Sequence, residues 1–219
     1  MPEMSLHNQL KEWLHEPGDQ MEAQVWGYKA DIIRGDTIIE IQTGNFSAIH
    51  EKLRRLLRGY AVTLVYPIPV QRWVTRIEGD KKTRRASPKH GRVEDLFSEL
   101  VYCPELPLNP RFQLMVIFVH EEEVLVNDGI GSWRRKRWSI LDRRLLDVTE
   151  RRVFKRLNDY LGLLPDDLPP EFTVQNLVKA SGLRVVLARR MIYTLTKMGI
   201  TEEVGKNGRA KLYRTKILR

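Results

Sequence analysis

The sequence predicts an α/β fold, in which a domain with a mixed sheet is followed by a smaller module of helices and a hairpin. In the first half, helix-like and strand-like segments alternate, and the run Val62–Tyr66 is almost entirely apolar. Such a run is typical of a strand that is buried on both faces. The last part shows two helical patterns and then a Gly-containing hairpin pattern. We therefore predict two domains, residues 1–148 and residues 149–219, and call the second the C-terminal module.

The first domain is predicted to begin with an αβββαβ core. Apolar residues recur at helical spacing in two segments, and they alternate or run together in four strand-like segments. The helices present Leu6, Leu10, Trp13 and Leu14, and Ile49, Leu53, Leu56 and Leu57. The strands are predicted at Met21–Trp26, on both sides of a Gly35–Asp36 turn, and at Val62–Tyr66. A helix that connects two parallel strands makes a right-handed crossover, so this order restricts the topology.

Three polar side chains on the predicted hairpin indicate a metal site. Asp31 closes one apolar run, and Glu40 and Gln42 alternate with isoleucines in the next run. Side chains two apart share one face of a strand, and pairing about the turn brings Asp31 beside them. Carboxylate oxygens held together on a rigid sheet suit Mg²⁺ or Mn²⁺. The alternative is an amphipathic hairpin whose three polar side chains are only solvated.

This layout resembles the PD-(D/E)XK nuclease superfamily, whose pattern is an acid on one strand, acid-x-Lys on the next strand, and then a helix. The resemblance covers roughly residues 5–78 and implies a restriction-endonuclease-like fold. It implies that Asp31 and Glu40 are catalytic acids that bind Mg²⁺ or Mn²⁺, together with the Ile41 carbonyl. Gln42 stands where the family usually has Lys and would orient the attacking water as a catalytic residue, and Ala30 stands where the family has Pro. The implied reaction is metal-dependent phosphodiester hydrolysis in DNA by an endonuclease.

Two further residues enter through the same resemblance. Some superfamily members supply the catalytic Lys from the helix after the motif, which makes Lys52 the candidate for the charge that Gln42 lacks. Other members add an early acid to the metal site, for which Glu12, Glu16 and Glu22 are candidates, and Glu22 on the first strand is preferred. The alternatives are an ordinary amphipathic lysine, with its stem along the edge of the core, and a surface carboxylate.

The middle of the chain is predicted to complete the first domain. The predicted elements are a strand at Arg72–Ile77, an exposed basic loop at Gly79–Gly91, a helix at Val93–Val101, and strands at Phe112–Val119 and Val124–Asn127 around an acidic turn. A helix predicted at Thr149–Leu161 leads into the C-terminal module. The segment Trp133–Trp138 interleaves aromatic residues with cations. That pattern suits base stacking and phosphate binding, and it equally suits a charged edge strand.

The positive charge of the protein is concentrated in the C-terminal module. The whole chain has a net charge of +9, and residues 173–219 hold eleven Lys and Arg against two acids. The remaining 172 residues hold 26 basic and 26 acidic groups. A concentration of this kind indicates a polyanionic partner, for which nucleic acid is the usual case.

The C-terminal module resembles a winged helix-turn-helix. Thr173 is a predicted N-cap, Ser181-Gly182 a turn, Leu183–Met198 a longer helix, and Gly205–Gly208 the turn of a basic hairpin. In that fold the second helix enters the major groove and the wing contacts the backbone. The resemblance implies nucleic-acid contacts from Arg184, Arg189 and Arg190 on the helix and from Lys206, Arg209 and Lys211 on the wing. The alternative is a winged helix that binds protein.

Composition and missing motifs exclude several other classes. With 42% hydrophobic and 30% charged residues the chain is typical of globular proteins, and no apolar run approaches the roughly 20 residues that span a bilayer. Without a signal-peptide pattern, a cytoplasmic location is expected. The single cysteine, Cys103, and the five histidines show no metal-ligand spacing, and no phosphate-binding loop or serine-hydrolase motif occurs.

The sequence therefore predicts a Mg²⁺- or Mn²⁺-dependent DNA endonuclease with a winged helix, with RNA as an alternative substrate and a homodimer as an alternative to a monomer. Two other functions stay open at this point. One is a catalytically inactive nuclease fold that serves as a DNA-binding regulator. The other is an interaction scaffold whose winged helix binds protein.

Overall fold

A seven-stranded mixed sheet forms the centre of the protein in a computed structural model, which describes residues 5–131, 133 and 137–216. The helices are α1 (Ser5–Leu14), α2 (Phe46–Leu56), α3 (Phe97–Leu100), α4 (Leu157–Leu161), α5 (Val174–Ser181) and α6 (Val185–Lys197). The strands are β1 (Gln20–Met21), β2 (Gln24–Val25), β3 (Tyr28–Lys29), β4 (Ile32–Arg34), β5 (Thr37–Ile41), β6 (Ala61–Glu78), β7 (Lys81–Ala86), β8 (Phe112–Val126), β9 (Ser139–Phe154), β10 (Glu171–Phe172), β11 (Thr201–Asn207) and β12 (Ala210–Thr215).

The order of strands in the sheet confirms the α/β prediction. The order is β1-β4-β5-β6-β8-β9, and β7 pairs with β6 beyond the end of β5. The pairs β1–β4, β4–β5 and β8–β9 are antiparallel, whereas β5–β6 and β6–β8 are parallel. Helix α2 lies between the parallel strands β5 and β6 in the chain, as the predicted order requires.

Alternation along β5 divides the core into two parts. Ile38 packs on the α2 side of the sheet, and Ile39 and Ile41 pack on the α1 side. The turn before β5 is tight: Arg34 pairs with Thr37, and Gly35 has a φ of 54°, which glycine adopts without a steric cost. The register of β4 against β5 is therefore set by the turn and by burial together.

Strand β6 is longer than the two separate strands that the sequence predicts. It continues through Pro67 and Pro69, which lack the backbone N–H that a ladder needs. Val65 accepts a hydrogen bond from the Gln42 amide at the end of β5, and Pro69 accepts one from Gly91. The backbone groups of residues two apart point to the same edge of a strand. The missing N–H groups of Pro67 and Pro69 therefore lie on the edge of β6 between β5 and β7, where no described strand pairs with it.

Three predictions for the middle of the chain are wrong. The loop predicted at Gly79–Gly91 contains the exposed strand β7, the acidic turn predicted at Glu121–Glu123 lies inside β8, and the helix predicted from Thr149 begins only at Leu157. Strand β9 instead pairs with β8 as far as Phe154, so the predicted boundary at residue 148 falls inside a strand.

Pairing between distant strands explains the errors. The three glutamates of β8 are paired with arginines of other strands in the sheet: Glu121 with Arg72 of β6, Glu122 with Arg84 of β7, and Glu123 with Arg143 of β9. Local sequence does not reveal these partners, and tertiary pairing overrides local propensity. Of the predicted aromatic and cationic segment Trp133–Trp138, residues 134–136 lie outside the described residues.

The C-terminal module places two helices and a hairpin against the α2 side of the sheet. Thr173 caps α5 by accepting a hydrogen bond from the Asn176 amide, and Gly182, with a φ of 69°, ends that helix. The buried side chains of α6 belong to the same core as those of α2. Strands β10, β12 and β11 form a separate three-stranded sheet. The prediction that the two parts of the chain pack together is confirmed.

Candidate active site and nucleic-acid interface

A long bent hairpin carries the first candidate residues. Strands β1 and β2 form one arm and β3 and β4 the other, with the turn at Trp26-Gly27. The bend occurs at Glu22, which has a φ of 55° and whose amide donates to the Asp31 carbonyl over 2.9 Å. Asp31 therefore lies just before β4, at the point where the hairpin leaves the main sheet.

Asp31 and Glu40 lie on neighbouring strands. Ile32 pairs with Ile39, so the same register, continued by one residue, sets Asp31 opposite Glu40. Residues that face each other in this way have Cβ atoms about 5 Å apart. The Ile41 amide donates to Asp31 Oδ2 over 2.8 Å, which holds the carboxylate at the end of β5. The structure thus brings together the two acids that the sequence predicts.

The carboxyl group of Glu40 is buried and only partly satisfied. The residue is 3% exposed, and its Oε2 lies 2.5 Å from the Nζ of Lys52. Its Oε1 is buried without a hydrogen-bond partner among the described residues. Burial raises the pKa of Glu40 to about 7, although the hydrogen bond from Lys52 opposes the rise. An acid in this state has an oxygen available for a further ligand.

Lys52 lies beside Glu40. It projects from α2, and its ammonium donates both to Glu40 and to the Lys29 carbonyl, over 2.6 Å for the latter. Glu40 and Ile38 are two apart on β5, and Ile38 packs on the α2 side, so the lysine reaches the acid from the helix above that face. The cation beside Glu40 is therefore supplied by the helix.

Gln42 lies just beyond β5 and its side-chain amide is engaged elsewhere. The Nε2 group donates to the carbonyls of Gly44 and Asn45 in the loop that leads to α2. The backbone amide of Gln42 donates to Val65 over 2.9 Å. The side chain therefore supports the loop, whereas the sequence predicts that it shares a face with Glu40.

Glu22 is bonded through its backbone to Asp31, but its side chain is bound by Lys11 and Lys29. Its carboxylate oxygens lie 2.6 Å from the Nζ of Lys11 and 2.5 Å from that of Lys29. The hydrogen bonds from Lys11 and then Lys29 lower the pKa of Glu22 to about 2. Glu22 is thus a carboxylate that orients α1 and β3 about the site.

His7 of α1 belongs to the site, although the histidines show no metal-ligand spacing in the sequence. Its Nε2 lies 3.0 Å from the Ile41 carbonyl and 3.3 Å from Asp31 Oδ2. Burial by itself would raise the pKa of Asp31, but hydrogen bonds from His7 and the Ile41 amide outweigh it and hold that pKa below its usual value. The sequence signal is faint: His7 is one turn from Leu10 and two from Leu14, on the buried side of α1.

The donor set at this end of β5 fits a hard divalent cation. The carboxylate of Asp31 and the carbonyl of Ile41 converge on one point, at present the Nε2 of His7, and Glu40 adds an unsatisfied oxygen. Oxygen ligands of this kind are those that Mg²⁺ and Mn²⁺ prefer. Among the described residues, however, no three His, Cys, Asp or Glu side chains are grouped closely enough to hold an ion by themselves. A backbone carbonyl or water would have to complete the coordination.

Of the six predicted nucleic-acid contacts, five are exposed and one faces the rest of the protein. Lys206 pairs with Lys211 across the hairpin, Arg209 lies in the turn between them, and all three are exposed. Arg184 and Arg189 are also exposed, at the start and the middle of α6. Arg190 instead faces the rest of the protein.

Arg190 joins α6 to α3. It donates to the Ser98 carbonyl over 3.1 Å, and its guanidinium lies 6.0 Å from the centre of the Tyr102 ring. Its predicted role as a helix contact therefore competes with a role in packing.

No described helix is long and apolar enough to cross a membrane.

Comparison with known proteins shows which family the chain belongs to. A protein of Treponema pallidum (strain Nichols), named uncharacterized protein, is 29% identical over 216 residues, which cover 97% of this chain and 85% of that protein. No solved structure matches. A family model described as a domain of unknown function, DUF8091, matches residues 4–155, which include all of the acidic site. The chain therefore belongs to the DUF8091 family.

Proposed function

We propose that the protein is a metal-dependent nuclease that cuts DNA at internal phosphodiester bonds. The observation that carries this proposal is the position of Glu40, buried opposite Asp31 with one unsatisfied oxygen and with the Lys52 ammonium on the other. Two acids on adjacent strands, followed by a helix that supplies a lysine, resemble the PD-(D/E)XK pattern. The order α1, an antiparallel three-strand meander, α2 and the parallel strand β6 supports the same resemblance.

Asp31, Glu40 and the Ile41 carbonyl would hold Mg²⁺ or Mn²⁺. A bound ion of this type supplies Lewis acidity toward a phosphate oxygen and lowers the pKa of water. The chain supplies the rest of the site. The Ile41 amide and Lys52 fix the two carboxylates, and burial keeps bulk water away from them, which strengthens every electrostatic interaction at the site.

Lys52 would be the cation next to the phosphate, in the role that Gln42 cannot fill. Its ammonium is held by Glu40 and by the Lys29 carbonyl, so it is already oriented before substrate arrives. The Nε2 of His7 lies between Asp31 and the Ile41 carbonyl, and there it would either transfer a proton or coordinate the ion. Gln42 would act indirectly, by holding the loop before α2.

The exposed cations of the C-terminal module support DNA as the substrate. Lys206, Arg209 and Lys211 are gathered at one hairpin tip, and Arg189 lies on the exposed side of α6. A winged helix binds duplex DNA with the same two elements. Phosphate contacts by such side chains would make affinity depend strongly on salt.

Conversion of supercoiled plasmid to nicked circles tests the proposal. The protein should nick plasmid with Mg²⁺ or Mn²⁺, and Glu40→Ala should remove the activity while the exposed Glu51→Ala, on α2, keeps it. Nicking by Glu40→Ala at the rate of the unmodified protein would contradict the assignment.

An inactive nuclease fold that regulates DNA is the second candidate, because the Gln42 amide is committed to loop carbonyls and Lys52 already neutralises Glu40. That candidate expects salt-sensitive duplex binding by the unmodified protein with no nicking under either metal. The same plasmid experiment, with duplex binding measured alongside, therefore separates the two functions.

A further inference from the structure

The tip of the bent hairpin displays a tryptophan in an unusual conformation. Strands β2 and β3 pair Gln24 with Lys29 and Val25 with Tyr28, which leaves Trp26 and Gly27 as the two turn residues. Both have positive φ, 50° for Trp26 and 81° for Gly27. Such turns favour Asn-Gly, because a bulky side chain is disfavoured in the left-handed region. Trp26 is nevertheless 56% exposed, so burial alone does not account for it.

The ring of Trp26 is held in place by its neighbours. Its edge passes so close to Gly59 that a Cβ on that glycine would lie 2.4 Å from the ring. The Tyr60 ring meets it edge to face, with the ring centres 5.2 Å apart. An indole that is both exposed and oriented presents a rigid aromatic surface at little cost in side-chain entropy.

Arginines lie on segments next to this aromatic surface. Arg55 lies 5.9 Å from the centre of the Tyr28 ring. Arg58 precedes Gly59 in the chain, and its carbonyl accepts a hydrogen bond from Arg111. Glu51 pairs with Arg55, but no carboxylate of the described residues pairs with Arg58 or Arg111. An exposed aromatic ring among uncompensated guanidinium groups is the arrangement that binds single-stranded nucleic acid. A protein partner would gain little from so many like charges.

The aromatic surface is linked directly to the acidic site. The Lys29 carbonyl, at the base of the hairpin, accepts a hydrogen bond from the same Lys52 ammonium that binds Glu40. Trp26 and Lys29 are three positions apart in the chain, so their Cα atoms are at most about 10 Å apart. A strand with a base stacked on Trp26 could therefore extend along the hairpin toward the acids.

We propose that Trp26 is a base-stacking platform for an unpaired nucleotide, with Arg58 and Arg111 on the adjacent phosphates. This inference rests on the proposed nuclease function, and it specifies a substrate with a single-stranded segment beside the cut. Duplex bases are already stacked on their neighbours and do not offer a free face, so the platform selects unpaired bases. Duplex binding stays with the C-terminal module.

Binding of a fluorescein-labelled 20-mer of thymidylate in EDTA tests the platform without cleavage. Trp26→Ala should weaken binding about tenfold, as is typical of losing one stacked base, and Trp26→Phe should weaken it less. Trp13→Ala, at another exposed tryptophan of the described chain, should leave the affinity unchanged. Affinity for a 20-base-pair duplex should be the same for all of these variants.

A second variant separates stacking from folding. Trp26→Asn introduces a residue that tolerates positive φ, so the turn should form while binding to the thymidylate 20-mer falls as in Trp26→Ala. Unchanged 20-mer affinity in Trp26→Asn, or an equal loss for the duplex, would overturn the proposal. Plasmid nicking is a separate measurement: a protein that binds the 20-mer through Trp26 but never nicks retains the platform and loses the nuclease assignment.

Discussion

The acidic site and the basic hairpin of the C-terminal module handle charge in opposite ways. At the acidic site Glu40 is 3% exposed, and it depends on Lys52 from α2 as Asp31 depends on His7 from α1. At the hairpin tip Lys206 and Arg209 are exposed and local. Charges of the first kind act through their fixed positions and are costly to bury. Charges of the second kind act through their number, and their interactions are screened by salt.

The largest effect should follow from reversing charge at the hairpin tip. Lys206→Glu combined with Arg209→Glu should weaken duplex DNA binding by about two orders of magnitude and reduce the dependence of log affinity on log salt by about two. Fluorescence anisotropy at several salt concentrations measures both. Lys81→Glu combined with Lys82→Glu makes the same change in net charge on exposed β7 and should act less. Equal losses in the two double variants would show that total charge, and not the hairpin tip, determines binding.

Neutralising Glu40 should stabilise the metal-free protein while abolishing activity. Because the folded-state pKa of Glu40 is about 7 and its ordinary value is 4.5, the free energy of unfolding falls as pH rises between those values. Glu40→Gln removes this loss, so it should gain up to about 3 kcal/mol over the unmodified protein above pH 7 and nothing below pH 4.5. Urea unfolding in EDTA at pH 4.5 and 8 gives the difference. A gain that is the same at both pH values would contradict burial of the ionised carboxylate.

Lys52 and Gln42 should differ in their effect on nicking. Lys52→Met removes the ammonium at Glu40 and should lower the nicking rate about a hundredfold, as is typical of losing one oriented electrostatic group. Gln42→Ala removes only hydrogen bonds to loop carbonyls and should lower the rate severalfold. Single-turnover plasmid assays on folded variants measure both rates. A larger loss for Gln42→Ala would place the catalytic polar group at the end of β5 and not on α2.

The smallest effects should distinguish the adjacent arginines of α6. Arg190→Ala loses the bond to Ser98 and the contact with Tyr102, so it should lower stability by about 1 kcal/mol with little change in duplex affinity. Arg189→Ala should lower duplex affinity severalfold and leave stability unchanged, because Arg189 is exposed. Thermal unfolding and anisotropy on both variants test this contrast. The reverse pattern would mean that α6 leaves α3 when DNA binds.

Much of the acidic site could be predicted because its two acids lie within one hairpin. Asp31 and Glu40 are nine positions apart, and the Gly35 turn with the alternation of apolar residues sets their register. The order of elements around α2 follows equally from local periodicity, as does the cap of α5 at Thr173. In each case the interacting groups are close in sequence, so the pattern of residues is enough to predict how those groups are placed.

Contacts between distant segments could not be predicted in the same way. His7 reaches Asp31 across 24 positions, and the three glutamates of β8 enter a strand because arginines from β6, β7 and β9 neutralise them. Read alone, those glutamates predict an exposed turn. A buried charge has a partner that only the assembled sheet supplies, and no spacing in the sequence reveals it.

The sequence by itself determined the alternating elements, the acidic pair and the location of the excess positive charge, since these depend on residue type and on short-range periodicity. The tertiary structure alone decided that Lys52 binds Glu40, that Arg190 faces α3, and that Trp26 stands exposed at the tip of the bent hairpin. The physical reason is the same in all three cases. The direction of a long or aromatic side chain is set by what packs around it, and those neighbours come from elements far away in the chain.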